Sequence, residues 1–142
     1  MTGDTGKPTI LLVEDDAAHA ELIERALQDS KVDHQLHHSS DGDDALAYLE
    51  GLFNASMVGP RVILLDFRLP RIGGLEVLKR IRTNERLRTL PVVMFSSSRA
   101  TRDVQTAYEQ GANGYLVKPI DFGELRQRMA AFATYWLLHN QT

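Results

Sequence analysis

The chain has 142 residues, 43% of them hydrophobic and 25% charged, which is the size and balance of one ordinary folded domain and excludes a disordered chain. It has no cysteine, so disulfides, thiolate nucleophiles and zinc–cysteine sites are excluded, and its net charge of −3 (16 basic against 19 acidic residues) argues against a wholesale nucleic-acid binder. Apolar runs such as Ile10-Leu11-Leu12-Val13 are too short to span a bilayer, and no basic segment followed by an apolar one opens the chain, so a cytoplasmic protein without membrane attachment is expected.

Residues 1–8 are polar or turn-forming and read as a flexible N-terminal tail. Thr9 to Val13 is apolar enough for a strand buried on both faces, and Glu14-Asp15-Asp16 ends it. Ala18, Leu22, Ile23, Ala26 and Leu27 recur at helical spacing, with Asp16 read as the N-cap. His34 to His38 alternates weakly, as an edge strand would. Its histidines are read as surface residues rather than metal ligands, with His34 and His38 on one face and His37 on the other. Ser39-Ser40-Asp41 offers N-caps for a second helix carrying Ala45, Leu46, Leu49 and Phe53.

Val62 to Asp66 is the clearest buried strand, and Pro70 with Gly73-Gly74 marks the loop after it. Leu75, Leu78 and Ile81 begin a third helix. The basic residues from Arg68 to Arg88 read as its solvated face. Pro91 to Phe95 is a fourth strand, ended by Ser96-Ser97-Ser98. A helix over about 102–110 follows, with Gly111 as its terminator. Gly114 to Val117 is the fifth strand, ended by Lys118-Pro119. Asp121 with Glu124 resembles a capping box at the start of a helix running to about Leu138.

Five strand–helix units imply an α/β fold: a doubly wound, flavodoxin-like, five-stranded parallel sheet in the order 2-1-3-4-5 with helices on both faces. Ligands of such sheets bind beyond the carboxyl ends of the strands. The residues that follow the strands there are Glu14, Asp15 and Asp16, then Asp66, then Ser96, Ser97 and Ser98, then Lys118. Converging carboxylates repel one another and are expected to have raised pKa values unless a cation is present. Oxygen ligands without imidazole or thiolate suit Mg²⁺ or Mn²⁺, and a lysine and a hydroxyl suit phosphoryl oxygens. A carboxylate can itself attack phosphorus and form an acyl phosphate.

Glu14-Asp15, Leu65-Asp66 with Leu69-Pro70 and Gly74, Ser96, and Tyr115 to Pro119 together resemble the receiver domain of two-component response regulators, over about residues 9–138. The resemblance implies that Asp66 accepts a phosphoryl group from a sensor histidine kinase. It also implies that Asp15 binds the metal directly, that Glu14 acts through water, and that the Arg68 carbonyl completes the metal shell. Ser96 would be the switch hydroxyl, Lys118 the phosphoryl-binding lysine and Tyr115 the switch aromatic that moves inward, with the surface of the fourth helix, fifth strand and fifth helix as the readout. Such a protein is a self-phosphorylating and autodephosphorylating switch, not an enzyme with an external product. Residues 9–142 would be the receiver, with no output domain.

Residues 90–137 are similar to the regulators paired with bacterial phytochromes, which makes a phytochrome-type kinase the expected partner. Tyr135, Trp136 and Leu137 close the last helix with more apolar bulk than a small receiver buries, and are expected to form an interface, as in a homodimer. Arg68 is unusual for the family, and its guanidinium could pair with Glu14 or reach phosphoryl oxygens. Arg68, Ser97 and Ser98 are expected at the site entrance. Arg68→Asn is expected to change the phosphoryl lifetime; equal dephosphorylation rates in the two proteins would remove Arg68 from the chemistry.

Three other readings compete. An aspartyl phosphatase often carries an acid where Arg68 stands. A flavin or mononucleotide binder would need a glycine-rich loop where Glu14-Asp15-Asp16 stands. The intact Asp15, Asp66 and Lys118 speak against a degenerate receiver acting as a phosphorylation-independent scaffold or binding module, and the unusual Arg68 keeps that alternative open.

Overall fold

The computed structural model describes residues 6–139. The expected tail therefore lies, for residues 1–5, outside the described residues. Five strands, β1 (Thr9–Val13), β2 (Gln35–Ser39), β3 (Val62–Asp66), β4 (Val92–Ser96) and β5 (Gly114–Val117), alternate with five helices: α1 (Ala17–Asp29), α2 (Gly42–Asn54), α3 (Gly74–Thr83), α4 (Thr101–Glu109) and α5 (Phe122–Ala133). All strand pairs are parallel and the order is β2-β1-β3-β4-β5, the doubly wound arrangement expected. No helix among the described residues is long and apolar enough to cross a membrane.

Alternation along the strands builds two cores. Ile10, Leu12, Val62, Leu64, Val93 and Phe95 face α1 and α5, where Ile23, Leu27, Met129 and Phe132 meet them. Leu11, Val13, Ile63, Leu65, Val92 and Met94 face the other way, onto Leu49, Val77, Leu78, Ile81 and Ala107. The central strands are therefore apolar on both faces, and their last residues emerge together at one edge.

Caps set the helix starts. Asp16 accepts from the Ala18 and His19 amides, Asp41 from Asp44, and Asp121 from Glu124. Gly111 has φ +103 just past α4, a left-handed position that suits its lack of a side chain. β2 and β4 each lie one residue later than the sequence suggests, because the ladder pairs Val13 with Ser39 and Ser96 with Val117.

Two expectations need correction. Arg82 does not belong to a solvated face: its guanidinium donates to the Gly111, Arg88 and Leu90 carbonyls and to Asn113 Oδ1, tying α3 to the loops that flank β4. Leu137 is not an interface residue. After Ala133 the chain widens into a π-helical turn, Thr134–His139, which turns Leu137 into the α1–α5 core at 5% exposure and leaves Tyr135 and Leu138 outside. Leu137→Ala is accordingly expected to cost about 2–4 kcal/mol in urea unfolding. A change within 0.5 kcal/mol would contradict the core assignment.

Candidate functional site

The site forms where β1, β3, β4 and β5 end. Glu14 and Asp66 are almost fully buried, because each sits against the end of an apolar strand, whereas Asp15 is exposed. One carboxylate oxygen from each of Glu14, Asp15 and Asp66 lies within 4.8 Å of the others, a group that could hold a divalent cation. Three hard oxygen donors without thiolate, one of them open to solvent, fit Mg²⁺ or Mn²⁺, which keeps waters of its own. Glu14, Asp15 and Asp66 would hold it, and when bound it would neutralise the negative charge gathered at this edge of the sheet.

Lys118 enters from the end of β5. Its Nζ stands 3.1 Å from Asp66 Oδ1 and 3.3 Å from Glu14 Oε1, over the Phe95 ring. Its backbone amide donates to the Ser96 carbonyl at 2.7 Å, which fixes the root of the side chain.

Of Glu14 and Asp66, the expected upward pressure prevails at Asp66. Burial, then the charge of Glu14, pushes Asp66 up to about 6 against the pull of Lys118. Burial also works to raise Glu14. The His19 hydrogen bond, the Lys118 charge and the Asp16 amide together outweigh it and hold Glu14 at about 2. Two adjacent carboxylates thus divide: Glu14 is held low and Asp66 is pushed up.

No spacing in the sequence points to His19. Its Nδ1 lies 3.0 Å from Glu14 Oε1, and its ring stacks on Phe95. The Asp16 cap places it there, since His19 is the third residue of α1 and its amide is one of those that Asp16 holds. His38 Nε2 bonds the Glu14 carbonyl at 2.7 Å, and His37 stacks on Tyr48 of α2. Among the described residues the histidines form no metal-binding group.

The remaining residues separate. Ser96 is buried, and its Oγ accepts from the Ser98 amide at 3.0 Å. The Tyr115 hydroxyl donates to the Ser98 carbonyl at 3.0 Å, and its ring meets Phe67 edge-on. Ser98 is half-buried and its hydroxyl is committed. Its Oγ donates to Asp103 Oδ2 at 2.5 Å and accepts from the Ala100 amide, so it shapes the turn into α4. Ser97 and Arg68 are exposed. Arg68 does not pair with Glu14, whose carboxylate is taken by His19 and Lys118. Its amide instead donates to Asp66 Oδ1 at 3.2 Å. Tyr135 is half exposed, and Trp136 packs partly against the core with its ring at right angles to Tyr135.

Comparison with known proteins agrees with this geometry. Residues 10–130 match the model of the response regulator receiver domain. A probable methanogenesis regulatory protein, FilR2 of Methanothrix harundinacea, is 41% identical over 94% of this chain and 86% of its own. Response regulator Rcp1 of Synechocystis is 36% identical over 96% of this chain and 95% of its own. Its Mn²⁺-bound crystal structure superposes with a TM-score of 0.83, covering 94% and 97% of the two chains at 35% identity. The phosphorylated cyanobacterial phytochrome response regulator RcpA superposes with a TM-score of 0.85, at 36% identity over 95% and 97% of the chains. The chain belongs to the response regulator receiver family and is related to its phytochrome response regulators.

Proposed function

We infer that the protein is a phosphoryl-accepting switch in which Asp66 receives the group from a phosphohistidine of a sensor kinase, in a Mg²⁺-dependent reaction, within the cytoplasm. The observation that carries this reading is a nearly buried carboxylate, pushed up to about 6, with a lysine 3.1 Å away and two further carboxylates beside it. An oxygen of Asp66 attacks phosphorus, the bond from phosphorus to the imidazole nitrogen breaks, and the imidazole leaves with the electron pair. Lys118 is placed to hold a phosphoryl oxygen, and Glu14 to hold Lys118. Later attack by water on phosphorus breaks the bond to the Asp66 oxygen, releases inorganic phosphate and restores the carboxylate. Among activities this is a switch's own turnover, with no external product.

The readout runs through Ser98. In this arrangement Ser96 Oγ accepts the Ser98 amide while Tyr115 donates to the Ser98 carbonyl. A phosphoryl group on Asp66 would draw the Ser96 hydroxyl away from that amide, and loosening Ser98 would release Tyr115 to move inward. The surface altered is that of α4, β5 and α5. The kinship with phytochrome response regulators supports a phytochrome-type kinase as partner, and exposed Tyr135 supports a homodimer contact at the end of α5.

The pairing is tested by phosphotransfer. A phosphorylated phytochrome-type kinase should pass its label to this protein at least tenfold faster than an unrelated sensor kinase does; equal rates would contradict the pairing.

A further inference from the structure

The loop from Phe67 to Gly73 carries the Arg68 backbone beside the acceptor. Its two ends are tight. A Cβ on Gly74 would fall 2.3 Å from the Asp66 carbonyl oxygen, and the Gly74 amide closes the loop onto the Phe67 carbonyl at 3.0 Å. At its middle the loop does something less economical. Arg71 has φ +62, a left-handed conformation that a side chain disfavours. Its guanidinium reaches across to the start of α2, 2.6 Å from Asp41 Oδ2 and 3.7 Å from Asp43 Oδ2. The next residue, Ile72, lies against Gly42, where a Cβ would come within 2.8 Å of Ile72 Cγ1. Among the described residues, no other side chain of residues 68–73 makes an ion pair or hydrogen bond to another element.

We propose that Arg71 is a positioning residue of the phosphoryl and metal site, clamping the β3–α3 loop to the N-terminus of α2 through Asp41 and Asp43. The proposal rests on the reading of Asp66 and its neighbours as that site. Asp41 serves twice: Oδ1 caps α2 by accepting the Asp44 amide, and Oδ2 takes Arg71. The Arg71 side chain is 61% exposed, so the pair contributes little to the stability of the whole fold. What it fixes is local. Without it, the left-handed arginine keeps no side-chain tether, the loop is held only by its backbone bonds and the packing of Leu69 and Ile72, and the Arg68 backbone loosens with it.

The test uses the full chain, metal-free, with Arg71→Gln, Asp41→Asn and the double variant. Asparagine keeps the cap and loses the charge. Mn²⁺ alone is titrated by electron paramagnetic resonance, and amide hydrogen exchange is followed over residues 67–74. Each single variant is expected to weaken Mn²⁺ binding roughly fivefold, with the double variant no worse than either, as for two halves of one interaction. Loop amides exchange faster, Arg71→Lys recovers part of the affinity, and melting temperatures stay within about 2 °C of wild type. Simple charge effects predict the opposite pattern: Arg71→Gln would tighten Mn²⁺ binding by removing a cation, while Asp41→Asn would weaken it. That pattern, or unchanged affinity and exchange in both singles, overturns the clamp. If these shifts appear in a protein whose Asp66 takes no phosphate, the clamp stands and the phosphoacceptor reading fails.

Discussion

Lys118→Met slows phosphoryl uptake from a small acyl phosphate by about 10²–10³-fold, the usual cost of removing one preorganised cation or donor from a developing charge. Two effects combine. Nζ lies 3.1 Å from Asp66, where it can hold an incoming phosphoryl oxygen, and methionine offers no donor. Lys118 also pulls Asp66 down against burial and the charge of Glu14. Without it the carboxyl moves further up, and less of the nucleophile is ionised at neutral pH. Methionine keeps the length and the contact with Phe95, so the fold is retained. Initial rates at saturating Mg²⁺ measure the effect, and a variant within threefold of wild type would contradict it.

The second large effect is on stability. Asp66→Asn stabilises the metal-free protein. The ordinary value of the Asp66 carboxyl is 3.8, and the fold pushes it up to about 6. Between those pH values the folded state binds more protons than the unfolded chain, so stability falls as pH rises through the window and the full penalty is present above it. At pH 7 that penalty is on the order of 2–3 kcal/mol, which asparagine removes, raising the melting temperature by roughly 6–10 °C for a domain of this size. The gap between variant and wild type should be near zero at about pH 3 and nearly complete at about pH 7. Glu14 acts in the opposite sense: held down at about 2, it contributes stability that is lost as pH falls below its ordinary 4.5, equally in both proteins. Saturating Mg²⁺ should close most of the gap at pH 7 by stabilising wild type alone. A variant no more stable than wild type in thermal melts at pH 7 would contradict this account of the acidic cluster.

The sheet and the candidate-site edge were legible because both depend on local pattern. Val62 to Leu65 could only be a strand covered on both faces, and a polar residue directly after such a strand must emerge at its carboxyl end. Glu14, Asp66, Ser96 and Lys118 were found by that logic. What the pattern could not convey is rotation and reach. His19 meets Glu14 because α1 begins at a particular phase relative to β1, which the Asp16 cap sets and no spacing rule reveals. Ser98 and Ser97 look alike in sequence; one turns to Asp103 and the other to solvent. Arg82 looks like its basic neighbours, yet points at three carbonyls. Leu137 leaves the expected interface for the core while Tyr135 stays outside, because the helix widens after Ala133, and an ordinary helical period does not anticipate a π turn. The division of the carboxylates into a low Glu14 and a high Asp66 likewise needs the positions of His19 and Lys118, which only the folded chain supplies.

The most direct measurement of the central claim is phosphate incorporation from a small acyl phosphate, with and without Mg²⁺, in wild type and Asp66→Asn. The account predicts one phosphoryl group in wild type with Mg²⁺, and none when either Mg²⁺ or the Asp66 carboxylate is removed. Equal incorporation in Asp66→Asn, or none in wild type under any condition, would contradict it.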